Sequence, residues 1–300
     1  MELEELGELT GADAPQASQG EQMALSSVNS ASSPSSERLA ALVEYDGTVY
    51  AGFQVQVGSR TIQGELERGL AAITGQAVRI TAAGRTDAGV HALGQVVHLQ
   101  AAWAHSLGDL QRAWNANLPD DIAILALARV GPEFHARFSA RSRVYRYQIY
   151  SAAVRRPLVA RYAWHVNRPL DVRRMDEAAA LLVGRHDLRS FGQAPQGDNT
   201  VRTVLATRCW AEGALVCIEI EADAFLQHMV RRVAATLVAV GRGRLSVDDF
   251  GVIIRTRDPR RAAGLAPPNG LCLIAVRYDP RLVDWSLPYW ESWQKESCLE

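Results

Sequence analysis

Gly84-Arg85-Thr86-Asp87-Ala88-Gly89-Val90-His91 places one carboxylate two residues after a guanidinium and two before a glycine. Glycines on both sides let the backbone turn tightly or approach a ligand without a Cβ in the way. Just downstream, Gly94-Gln95-Val96-Val97-His98-Leu99-Gln100 alternates apolar and polar residues, the pattern of a half-buried strand. The two stretches together put a charged loop at the mouth of a sheet, where a rigid scaffold presents a nucleophile or a general base. Two other readings compete. An aspartate in a glycine-rich turn commonly caps a helix or closes an Asx-turn. Asp87 and His91 are also metal-ligand types, but no cysteine or second carboxylate lies beside them.

Working outward, Leu39-Ala40-Ala41-Leu42-Val43-Glu44-Tyr45 reads as a strand. Thr61 then caps a helix in which Ile62, Leu66, Leu70 and Ile73 recur at helical spacing, with Gly75 as its stop. The pattern predicts strands at about 77–83 and 94–100, a helix near 108–117 and a strand at about 122–129. The second half repeats the plan. Val144–Tyr150 alternates as a strand, and Asp171 caps a helix carrying Met175, Ala178 and Leu182. Strands at about 201–211 and 215–222 follow, joined by the turn Ala211-Glu212-Gly213. An apolar helix is predicted from about Leu226 to Val240, another begins at Ser246-Val247-Asp248-Asp249, and a last strand covers 271–278. Strands and helices in two such halves, rich in hairpin signals, argue for an α+β protein with largely antiparallel sheets.

Composition narrows the function classes. Three hundred residues, 48% of them hydrophobic, suffice for one large domain or two modest ones. No apolar run approaches the ~20 residues of a membrane span, and the first residues carry Glu2, Glu4, Glu5 and Glu8 where a signal peptide needs basic ones. The four cysteines (Cys209, Cys217, Cys272, Cys298) are far apart, which points to a reducing, cytoplasmic setting without disulfides or zinc. The net charge of −1 hides a segregation. Residues 1–37 hold seven acids and no Lys or Arg, and residues 284–300 hold four acids and one Lys. Residues 38–283 therefore carry 31 basic and 22 acidic residues, and every basic one is arginine. Arginine forks onto phosphates and stacks on bases, so a basic body between acidic ends suits a polyanionic partner. A nucleotide bias of the genome explains part of the missing lysine, but not the net sign.

Further blocks join the aspartate loop in a fixed order: Glu44-Tyr45-Asp46-Gly47-Thr48 with Tyr50-Ala51-Gly52-Phe53-Gln54, Asn115-Ala116-Asn117-Leu118-Pro119, Phe134-His135-Ala136-Arg137-Phe138-Ser139-Ala140, and Tyr145-Arg146-Tyr147. Later come Ala224-Phe225-Leu226, His228-Met229-Val230-Arg231, and Ala266-Pro267-Pro268 with Gly270-Leu271. From about Arg38 to Tyr278 the chain resembles the TruA family of tRNA pseudouridine synthases. It departs from that pattern at Phe53, where the family often has tryptophan, and at Asn269, where histidine is frequent.

The resemblance implies two ferredoxin-like halves, 38–140 and 141–283, fused into a continuous, mostly antiparallel sheet with a central RNA-binding cleft. They are flanked by a disordered acidic leader (1–37) and an acidic aromatic tail (284–300). It implies an isomerase that converts uridine to pseudouridine at positions 38 to 40 of the tRNA anticodon stem-loop, as a homodimer in the cytoplasm, with no cofactor, metal or membrane. By resemblance Asp87 is the nucleophile or base, Arg231 its cationic companion, Tyr145 the ring that stacks on the flipped uracil, and Arg85 the residue that holds the RNA. Taken alone, Arg231 reads more readily as the polar edge of an apolar helix, and Tyr145 equally as a strand tyrosine facing a core. His91 and His98 read as hydrogen-bonded structural histidines, and Tyr147 as a deeper residue without chemistry. Phe134-His135-Ala136-Arg137 with Arg141, Arg143 and Arg146 offers a basic strip with aromatic interruptions that suits a phosphate backbone. The competing classes are a non-catalytic RNA-binding module and a metal hydrolase.

Overall fold

Leu39-Ala40-Ala41-Leu42-Val43 is apolar without alternation, a composition that fits a strand covered on both faces. In the computed structural model, which describes residues 36–285, these five side chains are all buried in strand β1 (Glu37–Tyr45). The chain continues through α1 (Ile62–Thr74), β2 (Thr81–Ala82), β3 (His91–Ala101), α2 (Leu107–Ala116) and β4 (Ile122–Arg129). It then forms β5 (Ser142–Ser151), α3 (Pro157–Ala160), β6 (Trp164–Val166), α4 (Val172–Ala180), β7 (Gly184–Asp187), β8 (Val201–Glu212) and β9 (Leu215–Ala222). Helices α5 (Met229–Gly241) and α6 (Val247–Thr256) precede the last strand, β10 (Leu271–Arg277).

The strands join in one sheet in the order β4-β1-β3-β10-β5-β9-β8-β7, with β2 on β3 and β6 on β5. Its pairings are antiparallel except β3–β10 and β5–β6. The fold is thus mixed, with a large, mostly antiparallel sheet. β10, last in sequence, lies in the middle of the sheet, where it pairs Cys272 with His91 and Leu273 with Ala92. At this seam a Cβ on Gly94 would stand under 3.0 Å from the carbonyl of Ile274. Gly94 therefore marks a close approach of two backbones inside β3, not the start of a strand.

Local chemistry fixes the helices. Thr61 accepts from Gly64 N at 3.3 Å, and Gly75 ends α1 with φ 69. Ser106 and Ser246 open α2 and α6 with capping boxes to Asp109 and Asp249. Asp171 accepts from Arg174 N at 3.1 Å at the head of α4. Helix α5 is apolar on nearly every face, and its Val233, Ala234, Leu237 and Val240 are fully buried, as such a helix must be.

Three sequence expectations change. The strand expected at 77–83 shrinks to Thr81–Ala82, because side chains of α1 capture its neighbour. Glu67 accepts from Ile80 N at 3.0 Å and Gln63 donates to Ile80 O at 3.1 Å, so those groups never reach the sheet ladder. The helix expected from Leu226 begins at Met229, since Gln227 donates to Gln193 O at 2.9 Å in an isolated bridge and Met229 N closes a turn on Leu226 O. At the chain ends, Glu37 belongs to β1 and pairs with Arg129 at 2.7 Å, and Trp285 packs against the main core. The rest of the acidic leader before residue 36, and Tyr289, Trp290 and Trp293, lie outside the described residues. Among the described residues, no helix is long and apolar enough to cross a membrane.

Candidate active site

The loop from Ala83 to Val90 links β2 to β3 and is anchored by its backbone. Ala83 N donates to Val96 O at 2.8 Å, Phe53 N donates to Thr86 O at 3.1 Å, and Val90 N closes a turn on Asp87 O at 3.2 Å. Gly89 takes φ 76 in that turn, and a Cβ there would sit 3.0 Å from Pro268 Cγ, so the position is closed to larger residues. Beneath the loop runs a buried polar chain. The Thr86 hydroxyl lies 2.8 Å from Tyr45 Oη, and Gln95 Nε2 donates to Gly84 O at 2.9 Å and to Tyr45 Oη at 3.4 Å. These bonds tie the loop down from beneath, although Gln95 Oε1 is buried without a partner, and the side chains of Arg85 and Asp87 are left nearer solvent than Thr86.

Asp87 meets Arg231 of α5. Arg231 Nη1 donates to Asp87 Oδ2 at 2.9 Å, while its Nε donates to Ala266 O at 2.8 Å. The guanidinium is 11% exposed and the carboxylate 33%. One face of the fork holds the acid and the other holds the Ala266-Pro267-Pro268 segment, which a lysine could not do. His228 Nε2 approaches the same oxygen, Oδ2, at 3.5 Å. No hydrogen bond among the described residues reaches Asp87 Oδ1.

Tyr145 stands on β5 between Leu273 of β10 and Ile220 of β9. It is 8% exposed. Its ring meets Phe225 edge to face at 4.9 Å between centroids, and its hydroxyl lies 3.9 Å from where a Cβ on Gly84 would be. Burial pushes its phenol well above the ordinary tyrosine value, Arg143 pulls it down, and Asp87 adds to the rise. The hydroxyl therefore stays protonated. Tyr147, on the same face of β5, is fully buried and donates to Pro267 O at 2.8 Å.

The remaining candidates separate. Arg85 is exposed and has no ion-pair partner among the described residues. The basic strip is divided by burial and strand parity. Arg143 is buried and donates to the carbonyls of Asp223, Ala83 and Arg137, stapling three loops together. Arg146 points to the other face and pairs with Glu219 at 2.8 Å. Arg141 pairs with Asp279. Arg137 and Phe138 remain at the surface, with Phe138 76% exposed and stacked on His135 at 4.4 Å between centroids. His91 is engaged elsewhere, its Nδ1 accepting from Gly47 N at 3.1 Å and lying 3.0 Å from Asp46 Oδ1, and burial lowers its pKa despite that carboxylate. His98 Nδ1 accepts from Ala136 N at 3.1 Å, and burial, with His135 and Arg38 nearby, lowers its pKa to about 4. Among the described residues no group of three or more His, Cys, Asp or Glu is placed to hold a metal ion.

Sequence reasoning gave no role to His228. The available signal was only its place in the same block as Arg231, since its left-handed backbone takes it off helical spacing.

A family profile described as tRNA pseudouridine synthase matches residues 41–139 and 178–279. The chain belongs to the tRNA pseudouridine synthase family. It is 48% identical over 255 residues to tRNA pseudouridine synthase A of Chloroflexus aurantiacus, covering 83% of this chain and 92% of that one. It is 45% identical over 245 residues to the namesake in Roseiflexus castenholzii, covering 80% and 90%. With the Coxiella burnetii protein of the same name the figures are 42% over 250 residues, 81% and 94%. Pseudouridine synthases are isomerases, and this chain is one of them. Asp87 and Arg231 fall inside the two matched segments of the profile, whereas Tyr145 falls between them.

Proposed function

We propose that this pseudouridine synthase acts on uridines 38 to 40 of the tRNA anticodon stem-loop, with Asp87 as its nucleophile or base. In the reaction the N1–C1′ bond of uridine breaks, the base turns, and a C5–C1′ bond forms. C5 releases its proton and N1 gains one, so no redox partner enters. The step needs one oxygen beside C1′ and C6 in a site that limits water, and a carboxylate ionised near neutral pH supplies it.

The observation that carries this reading is the division of labour at Asp87. Oδ2 is held by Arg231 at 2.9 Å, which keeps the acid aimed, and Oδ1 is left to meet the substrate. The Tyr145 ring, backed by Phe225, gives the everted uracil a surface to stack on, and its neutral hydroxyl is a hydrogen-bonding group there. Arg85, exposed two residues from Asp87, engages the RNA backbone as the nucleotide swings out.

The two ferredoxin-like halves are 38–140 and 141–283, and the RNA-binding cleft runs between them. That division is supported by the parallel seam of β3 and β10, since Asp87 comes from the first half and Tyr145 and Arg231 from the second. The enzyme works in the cytoplasm as a homodimer that shares its tRNA.

The test is tritium release from tRNA labelled at C5 of uridine, with modified positions mapped afterwards. Wild-type enzyme should release tritium from positions 38–40, and Asp87→Asn and Asp87→Ala should release none while still binding tRNA. Turnover by either variant would remove Asp87 from its role. Binding without release by the wild type would instead point to an RNA-binding module.

A further inference from the structure

We propose that His228 is a positioning residue that, with Arg231, fixes Asp87 by its Oδ2 and presents Oδ1 to the substrate; this rests on the reading of Asp87 given above. Among the described residues, His228 and Arg257 are the non-glycine positions with positive φ. Arg257 follows the last turn of α6, where left-handed backbone is a normal way to stop a helix. His228 is different. It stands at the head of α5 with φ 64 and ψ 6, where a capping residue is ordinarily extended and bonds the first turn through its side chain. Its side chain makes no such bond. Left-handed backbone disfavours any residue with a Cβ relative to glycine, so helix entry alone would be better served by another residue.

What the conformation does accomplish is aim. Gln227 N is fixed on Gln193 O at 2.9 Å, Met229 N on Leu226 O at 3.2 Å, and Arg232 N on His228 O at 3.1 Å. The residue between these anchors throws its ring back across the start of α5 to within 3.5 Å of Asp87 Oδ2. The same oxygen receives Arg231 Nη1. A cation and an imidazole three residues apart thus converge on one carboxylate oxygen, at a helix N-terminus whose dipole favours negative charge. The 3.5 Å contact is too long for a full hydrogen bond. In a free enzyme such contacts tighten when substrate completes the site, and the ring, 34% exposed, has room to move. Local strain at a residue that touches the reactive acid is the arrangement expected of a functional position.

The experiment uses two substitutions in the full-length protein. His228→Gly keeps the left-handed backbone and removes the ring, whereas His228→Gln supplies an amide N–H at a reach comparable to Nε2. The Gly variant should lose roughly tenfold or more in kcat, with tRNA affinity within about twofold of wild type and a melting temperature that is not lowered. The Gln variant should recover most of the lost turnover. A merely structural histidine would show the reverse, with melting temperature or affinity falling and no rescue by Gln. A Gly variant with wild-type kcat, or a Gln variant as slow as Gly, would overturn the assignment. Asp87→Asn is measured alongside. Its turnover would remove the reading of Asp87 itself, whereas its inactivity beside an unimpaired Gly variant would remove His228 alone.

Discussion

Arg231 Nη1 reaches Asp87 Oδ2 at 2.9 Å across 144 residues of sequence. The acid comes from the loop before β3 and the guanidinium from the first turn of α5, so the pair forms only when the two parts of the sheet have joined. Its energy is moderated by solvent, because the carboxylate is a third exposed. The greater consequence is geometric, since one guanidinium fixes both the acid and the Ala266 carbonyl.

Arg231→Ala should therefore cost activity more than folding. Without the fork, Asp87 loses its orientation and its nearest cation, and kcat should fall by about a hundredfold or more, the scale of losing one preorganised electrostatic contact. Arg231→Lys should recover only part of it, because an ammonium cannot hold both acceptors in a plane. Tritium release under single-turnover conditions measures both. Wild-type kcat in the Ala variant would separate Arg231 from the chemistry.

Tyr145 offers a ring and a hydroxyl that substitution can separate. Tyr145→Phe keeps the contact with Phe225 and the stacking face, whereas Tyr145→Leu removes both. If the hydroxyl assists proton movement, Phe should lower kcat with KM unchanged, and Leu should also raise KM. Steady-state kinetics on the same tRNA distinguishes these effects.

Much of this was legible in the sequence. The caps at Thr61, Ser246 and Asp171 announce their helices through local hydrogen bonds, and the Asp87 and Arg231 blocks carry the family pattern. Non-local contacts were not legible. Nothing near Gly94 says that Ile274 will run beside it, and nothing near Ile80 says that Glu67 and Gln63 will capture its backbone. The basic strip also misled, because strand parity sends Arg143 and Arg146 to opposite faces and buries both. His228 was hidden for a third reason: its backbone conformation, not its identity, aims it.

Gly94→Ala tests the seam. The new methyl would meet the Ile274 carbonyl well inside contact distance, and both partners are backbone in the middle of the sheet. Neither can yield cheaply, so the variant should lose about 2–3 kcal/mol of stability or more. Urea unfolding reads the loss, and the neighbouring Leu93→Ala serves as a control that removes side-chain volume without crowding the seam.

Phe138 and Arg137 should bind RNA in distinguishable ways. Phe138, 76% exposed on its His135 neighbour, provides a stacking surface, so Phe138→Ala should weaken tRNA binding by an amount that salt hardly changes, about 1–3 kcal/mol. Arg137→Ala should instead reduce the slope of log affinity against log salt by about one unit. Filter binding across a salt series compares them, and unchanged affinity in both variants would place the RNA elsewhere.

Asp46 carries the pH prediction. Burial alone would raise its pKa, but hydrogen bonds from Thr48 and Tyr162 and the nearby His91 outweigh that and lower it to about 2. The carboxylate also bonds Arg161 at 2.8 Å, tying the turn after β1 to the segment after α3. A carboxylate whose folded pKa is depressed contributes stability above its unfolded value, and that contribution is lost as pH falls through the folded value. Asp46→Asn should therefore be less stable than wild type at pH 7, by on the order of 1–2 kcal/mol. The gap should narrow from about pH 4 downwards and be largely, though not wholly, gone at pH 2. Thermal melts of both proteins from pH 7 to pH 2 follow it, and a gap independent of pH would mean that the charge of Asp46 contributes nothing to the tie.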